Sequence, residues 1–269
     1  MASANRNNAQ NTPMKNGLIA ALDVGTTKTC CFIGRVIGDN KARVVGIGHQ
    51  VSRGLRAGSV ADMEAVENSV RAAVDAAERM AGEPIRTAFV NVSCGDPASH
   101  TVGVDIPVTG NEIDDADVRR VLEQGTTRSD SGEREVIHAI PVTYTVDGTS
   151  GIRDPRGMYG TQLGVNMHIV TAASGPVRNL HSCIKRGHLD VAGTVVSSYA
   201  AGLATLVEDE KDLGVTLIDM GGGTTSVAVF YDGSLVFADV VPLGGQHVTN
   251  DIARGLAPPT GHAERMKTL

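Results

Sequence analysis

The stretch Leu18 to Val36, LIAALDVGTTKTCCFIGRV, runs apolar into Asp23, turns through Gly25-Thr26-Thr27-Lys28, and leaves as a second apolar run. Far along the chain, Gly214 to Gly233, GVTLIDMGGGTTSVAVFYDG, repeats the plan. Asp219 stands where the first copy has Asp23, and Gly221-Gly222-Gly223-Thr224-Thr225 forms the turn. Apolar runs bounded by Gly and small polar residues predict strands, and two such runs about a short turn predict a hairpin. Each copy is followed by a third strand-like run, Ala42–His49 after the first and Ser234–Val241 after the second.

A carboxylate at the end of a buried strand, followed at once by a tight Gly/Thr turn, has a definite use. The backbone N–H groups of such a turn point inward and make an anion-binding concavity. Gly25 in the first copy and Gly221, Gly222 and Gly223 in the second let the backbone approach phosphate oxygens with no Cβ in the way. Thr26, Thr27, Thr224 and Thr225 supply hydroxyls, and Lys28 adds a point charge for terminal phosphates. Asp23 and Asp219 suit Mg²⁺, held mostly through its waters because that ion dehydrates reluctantly. Many strand turns look like GTTK; LIDMGGGTT is sharper, and the pairing carries the reading. Two such hairpins facing each other across a cleft would grip a nucleotide polyphosphate and its metal from both sides.

Outward from the first hairpin, the Gly-rich SRGLRAGSV leads into a helix with apolar positions Met63, Val66, Val70, Val74, Ala77 and Ala81 and Asp62 as its N-cap. A strand over 86–93 follows. From Cys94 to about Thr171 the sequence reads as a compact α+β piece: extended VGVDIPVTG, a short helix Asp114–Gln124 ending at Gly125, a polar loop, and strands over 136–146 and 161–172. Ser174 then caps a helix that ends at Gly187, and Tyr199–Val207 reads as helical. A charged connector over 208–213 precedes the second hairpin. The helix His247–Leu256 comes after Gly244-Gly245, and another begins near Ala263. This gives a mixed α/β protein with residues 1–16 as a disordered tail, 17–85 with 173–213 as one subdomain, 86–172 inserted into it, and 214–269 opening a second domain.

Bulk properties narrow the partners. The 269 residues are 41% apolar and 20% charged, with four Phe, four Tyr and no Trp, so the core is built from aliphatic side chains. A net charge of −6 argues against nucleic-acid binding, which needs a basic footprint. Cys30, Cys31, Cys94 and Cys183 form no CxxC pair and read as free thiols of a reducing cytoplasm. No run reaches the ~18–20 apolar residues of a membrane-spanning helix.

The duplicated Asp-Gly-Thr hairpins resemble those of the actin and heat-shock-chaperone ATPase superfamily, LDVGTTK matching its first phosphate motif and LIDMGGGTTSVAV its second. Residues 44–78, 136–160, 197–230 and 240–253 are similar more closely to the FtsA family of bacterial cell-division proteins, and the likeness runs from Leu18 to Leu269. That resemblance implies an actin-like ATPase fold with ribonuclease-H-like subdomains (1A and the start of 2A). It also implies an SHS2-type module, subdomain 1C, inserted at 86–172. It implies ATP and Mg²⁺ as ligands, with Asp23, Gly25, Thr26, Thr27 and Lys28 on one side. Asp219, Gly221, Gly222, Gly223 and Thr224 lie on the other, and Gly244 and Gly245 at the nucleotide end of the following helix. As partners it implies other copies in a filament, the tubulin-like protein FtsZ, later division proteins through subdomain 1C, and the cytoplasmic face of the inner membrane through a C-terminal amphipathic helix expected to lie beyond these 269 residues. Relatives of this kind run beyond Leu269, so the second domain is expected to be incomplete and the sequence to be truncated at its C-terminal end.

Hydrolytic members of the superfamily carry a Glu or Gln before the second phosphate strand. VAGTVVSSY (191–199) offers only Thr194, Ser197 and Ser198, so slow hydrolysis and a nucleotide used as a polymer switch are expected. A pilus-assembly scaffold of the PilM type and a small-molecule kinase of the same superfold are the alternatives. Against the kinase, Asp114, Asp115 and Asp117 sit at a helix start, where the helix dipole accounts for them.

Overall fold

The computed structural model describes residues 17–38, 41–110, 112–129 and 132–269. The expected tail over 1–16 lies outside them. The fold opens with β1 (Leu18–Val24), β2 (Lys28–Gly38) and β3 (Lys41–Val51), then a small hairpin, β4 (Leu55–Arg56) and β5 (Ser59–Val60). Helix α1 (Met63–Ala81) starts where the Asp62 carboxylate accepts the Ala65 N–H at 3.1 Å, and stops at Gly82 in the left-handed region (φ 73°). Its buried stripe includes Val66, Val70, Ala73 and Ala77. After β6 (Thr87–Val92) come β7 (Ala98–Pro107), α2 (Asp115–Ser129), β8 (Arg134–Val146), β9 (Thr149–Ile152) and β10 (Gln162–Ala173). Next are α3 (Ser174–Arg186), β11 (Asp190–Val196), α4 (Ser197–Thr205) and α5 (Glu208–Leu213). The second hairpin is β12 (Val215–Met220) and β13 (Thr225–Tyr231), followed by β14 (Ser234–Val241), α6 (Gly245–Leu256) and α7 (Thr260–Thr268).

The first five-stranded sheet has the order β11-β6-β1-β2-β3. β1, β6 and β11 run parallel, while β1-β2-β3 is an antiparallel meander. Helix α1 lies so close to β3 that a Cβ on Gly48 would come 1.7 Å from the Ala73 carbonyl oxygen. Glycine there lets the helix backbone rest on the strand.

The piece between β6 and α3 leaves and returns at one point, where the Ala173 N–H donates to the Gly95 carbonyl at 2.7 Å. It has a core of its own, including Val121, Leu163, Val165, Met167 and Ile169, with α2 covering β7 and β10. Its strands nonetheless belong to a seven-stranded sheet, β12-β13-β14-β7-β10-β8-β9, that continues into the second hairpin. The seam is narrow: Asp239 pairs with Ala98, and the Ala238 N–H donates to Ser99 Oγ at 2.8 Å. Pairing there gives the rim of β14 a partner for donors that would otherwise stand open.

Several element limits differ from the sequence reading, each for a local reason. Helix α2 continues through Gly125 instead of ending there; the glycine makes room for Met167, whose Sδ would lie 2.3 Å from a Cβ at that position. Ser174 is the first helical residue, not the cap; its N–H donates to the Glu133 carbonyl and its hydroxyl to that of Gly132. Helix α4 begins at Ser197, and the charged connector closes into α5.

Helix α4 joins the parts. Gly202 faces Phe230, whose ring would lie 2.4 Å from a Cβ at that glycine. Tyr199 stacks on Phe230 with centroids 6.2 Å apart and meets His138 edge-on at 5.0 Å. Phe230 is 1% exposed, and Phe230→Ala should cost about 3–5 kcal/mol through lost transfer energy and the cavity left behind. A urea midpoint lowered at unchanged slope checks this.

His138 Nε2 accepts the Val196 N–H at 3.0 Å, so the ring must be neutral. Burial, with His168 nearby, holds its pKa down to about 4. His168 is itself held at about 4, by burial and then by His100. Both fall below the ordinary value, so the stability they contribute is present above about pH 6.5 and is lost as pH falls toward 4. Thermal midpoints should be flat above neutrality and drop across that window. His138→Gln, which keeps an acceptor but does not titrate, should make the drop shallower.

Candidate functional site

The same turn is built twice. Asp23 pairs across its hairpin with Cys30, and Asp219 with Ser226 at equal spacing. The Gly25 N–H closes on the Lys28 carbonyl at 3.0 Å, and the Gly221 N–H on that of Thr224 at 2.9 Å. The two turns then meet. A Cβ on Gly222 would fall 2.3 Å from Thr27 Cγ2, and one on Gly223 2.5 Å from Thr26 Oγ1. A third element joins them: the Gly58 N–H, in the β4–β5 hairpin, donates to Thr26 Oγ1 at 3.1 Å, and Gly58 packs against Thr224.

Asp23 is half-buried, and its environment is mixed. Burial raises its pKa above the ordinary carboxylate value, a hydrogen bond from Asn91 and the charge of Lys28 pull it back, and the charge of Asp219 raises it again. The Asn91 amide donates to Asp23 Oδ1 at 2.6 Å.

Beside the turns lies a cleft of about 450 Å³. It is lined by Thr27, Met220, Gly221 and Gly222, by Gly245, Gln246 and Thr249 of α6, and by Thr260, Gly261, Glu264 and Lys267 of α7. Lys267 Nζ donates to Glu264 at 2.8 Å, to Thr249 Oγ1 at 3.1 Å and to the Gly245 carbonyl at 3.2 Å. The Thr249 hydroxyl also donates to Glu264, and these bonds from Lys267 and Thr249 hold the Glu264 carboxyl below its usual range.

Of the residues singled out from sequence, Asp23, Gly25, Thr26, Thr27, Gly221, Gly222, Gly223 and Thr224 belong to the paired turns, and exposed Lys28 closes the first one. Gly244 and Gly245 lie against the second turn. The Gly245 and Gln246 N–H groups donate to the carbonyls of Gly221 and Gly222 at 2.9 and 2.8 Å, so the start of α6 is spent on holding that turn. Thr225 Oγ1 donates to the Leu243 carbonyl. The sequence reading does not single out Gly58, Asn91, Thr249, Glu264 or Lys267. The only signal for Asn91 is a lone amide inside the strand TAFVNV, and the pattern of α7 marks no more than the beginning of a helix.

Two carboxylates among hydroxyls and amides form a hard-oxygen set. Among the described residues no three His, Cys, Asp or Glu side chains gather to hold a metal directly. Such a set fits Mg²⁺ bound through its waters better than a caged ion.

Close contact between the turns gives a direct test. Gly222→Ala should destabilise the protein by about 1–3 kcal/mol through overpacking against Thr27. In a Thr27→Ala background the nearest side-chain atom would be the one 3.3 Å away, and most of that cost should vanish in a double-mutant cycle read by denaturation.

Comparison with known proteins agrees with this geometry. The family described as "SHS2 domain inserted in FTSA" matches residues 95–171, and that described as "Cell division protein FtsA" matches 216–269. Cell division protein FtsA of Agrobacterium fabrum (strain C58) is 44% identical over 265 residues, 95% of this chain and 60% of that protein. That of Rhizobium meliloti (strain 1021) is 45% identical over the same shares. The chain thus spans about three fifths of the relatives it matches. Among solved structures, a PilM-PilN type IV pilus biogenesis complex matches with a TM-score of 0.65 at 16% identity, over 94% of this chain and 69% of that one, a likeness of fold alone. The fold is that of the actin-like ATPases with an SHS2-type insert. By its paired turns, its inserted module and its identity to curated relatives along nearly its whole length, the chain belongs to the FtsA family of cell-division proteins.

Proposed function

We propose that the protein binds ATP with Mg²⁺ between its two hairpins and serves cell division as an actin-like, polymerising scaffold. The observation that carries this reading is the mutual contact of the two turns, Gly222 and Gly223 against Thr27 and Thr26, with Thr27 of one turn and Gly221 and Gly222 of the other lining one cleft. Turn N–H groups, threonine hydroxyls and Lys28 would hold the phosphates. Asp23 and Asp219 would hold the metal's waters, the ion neutralising phosphate charge. Glu264, which also lines the cleft, would accept from the sugar hydroxyls, with Lys267 holding it in place.

Turnover would be slow. In the segment before β12, Thr194 is engaged with His181 Nε2 at 3.1 Å, Ser197 accepts from Asn91 at 3.0 Å, and Ser198 is fully buried. None of these hydroxyls is a general base for water, so the nucleotide would act as a switch for assembly. Family membership supports the wider role: head-to-tail association into filaments, a link to FtsZ, contact with later division proteins through the inserted module, and a place on the cytoplasmic face of the inner membrane at the division site. Membrane attachment is assigned to an amphipathic helix of the kind that lies in the interface. No described helix is long and apolar enough to cross a membrane.

Heat protection tests the nucleotide reading. Mg-ATP should raise the melting midpoint progressively with concentration, as ligand linkage requires, and Asp219→Ala should abolish the effect. A wild-type midpoint unmoved by saturating Mg-ATP would remove the basis for the assignment.

A further inference from the structure

Asn91 lies on β6, at the C-terminal side of three parallel strands, and its side chain is tied on both ends. Oδ1 accepts the Val24 N–H at 2.9 Å. Nδ2 donates to Asp23 Oδ1 at 2.6 Å and to Ser197 Oγ at 3.0 Å. The amide has one orientation. Turned over, its two donors would face the Val24 N–H, and its oxygen would face a carboxylate. These contacts tie the ends of β1, β6 and the start of α4 together at the C-terminal ends of the parallel strands, where open parallel sheets place their ligands. The neighbouring Val196 N–H is held by His138 of the inserted module. Ser197, which offers nothing as a water-activating group, thus has a use.

We propose that Asn91 is a positioning residue: it occupies Asp23 Oδ1, aims the other carboxylate oxygen at the metal's water shell, and through Ser197 fixes that aim to the start of α4. The metal part of this inference rests on the nucleotide reading; the aiming of Asp23 does not. Other groups acting on or beside Asp23 are Lys28, Asp219 and its cross-strand partner Cys30. None of them holds the carboxylate by a hydrogen bond among the described contacts.

Two variants of the full-length protein test the proposal. Asn91→Asp keeps shape and the acceptor for Val24 but turns the donor into an acceptor, while Asn91→Leu removes both. In nucleotide-free crystal structures of the folded variants, the Asp23 carboxylate should rotate away from its wild-type direction. A carboxylate that keeps its direction in both overturns the proposal, whether or not ATP binds. In solution, the gain in ATP affinity on adding Mg²⁺ over EDTA should shrink by about 10–100-fold, the scale for outer partners of metal-binding groups, with affinity in EDTA nearly unchanged. Equal weakening with and without Mg²⁺ would mean that Asn91 only braces the strands, and would overturn its role toward the metal. If wild type binds no ATP under either condition, the nucleotide reading fails, and the direction of Asp23 alone decides what Asn91 does. Asn91→Asp guards against a misfolded leucine variant.

Discussion

Steric contact between two tight turns organises this molecule. Gly222 and Gly223 can lie on Thr27 and Thr26 only because they lack a Cβ, and that approach brings together the turns that follow Asp23 and Asp219. Much of the surrounding structure supports the approach. Gly58 braces Thr26 and packs on Thr224 from the side, the first N–H groups of α6 secure the second turn from behind, and Asn91 holds Asp23 from below. Each support uses backbone donors or small side chains, the groups that fit where two backbones come close.

A second consequence is mechanical. The inserted module is not an appendage on a loop. Its sheet runs into the second hairpin through Asp239 and Ala98, and its His138 holds the residue beside Ser197, which Asn91 connects to Asp23. Helix α4 stands between these connections, its Tyr199 and Gly202 packed against Phe230 of β13. Helix α4 and the seam thus belong to the same close-packed network as the turns.

Local signals are legible where local physics decides. Asp62 does cap α1, because N-capping depends on a side chain and a backbone N–H three residues apart. The strand Ser234–Val241 falls where the sequence reading puts it, and the positive φ of Asp232 and Gly233 before it is what a two-residue hairpin turn demands. Gly125 misleads for the opposite reason. A glycine in a helix looks like a terminus, yet here it makes room for Met167, a neighbour remote in sequence.

The amino-acid pattern by itself determined the repeated hairpins, the carboxylate and glycine at like positions in each, and the α/β alternation around them, since these follow from periodicity and turn chemistry. Tertiary structure alone decided that the turns touch, that Gly58 and Asn91 complete their surroundings, that Glu264 and Lys267 reach the same cleft, and that the insert shares a sheet with the second hairpin. Those facts depend on which surfaces pack together across long separations in sequence, and no residue's immediate neighbours encode that choice.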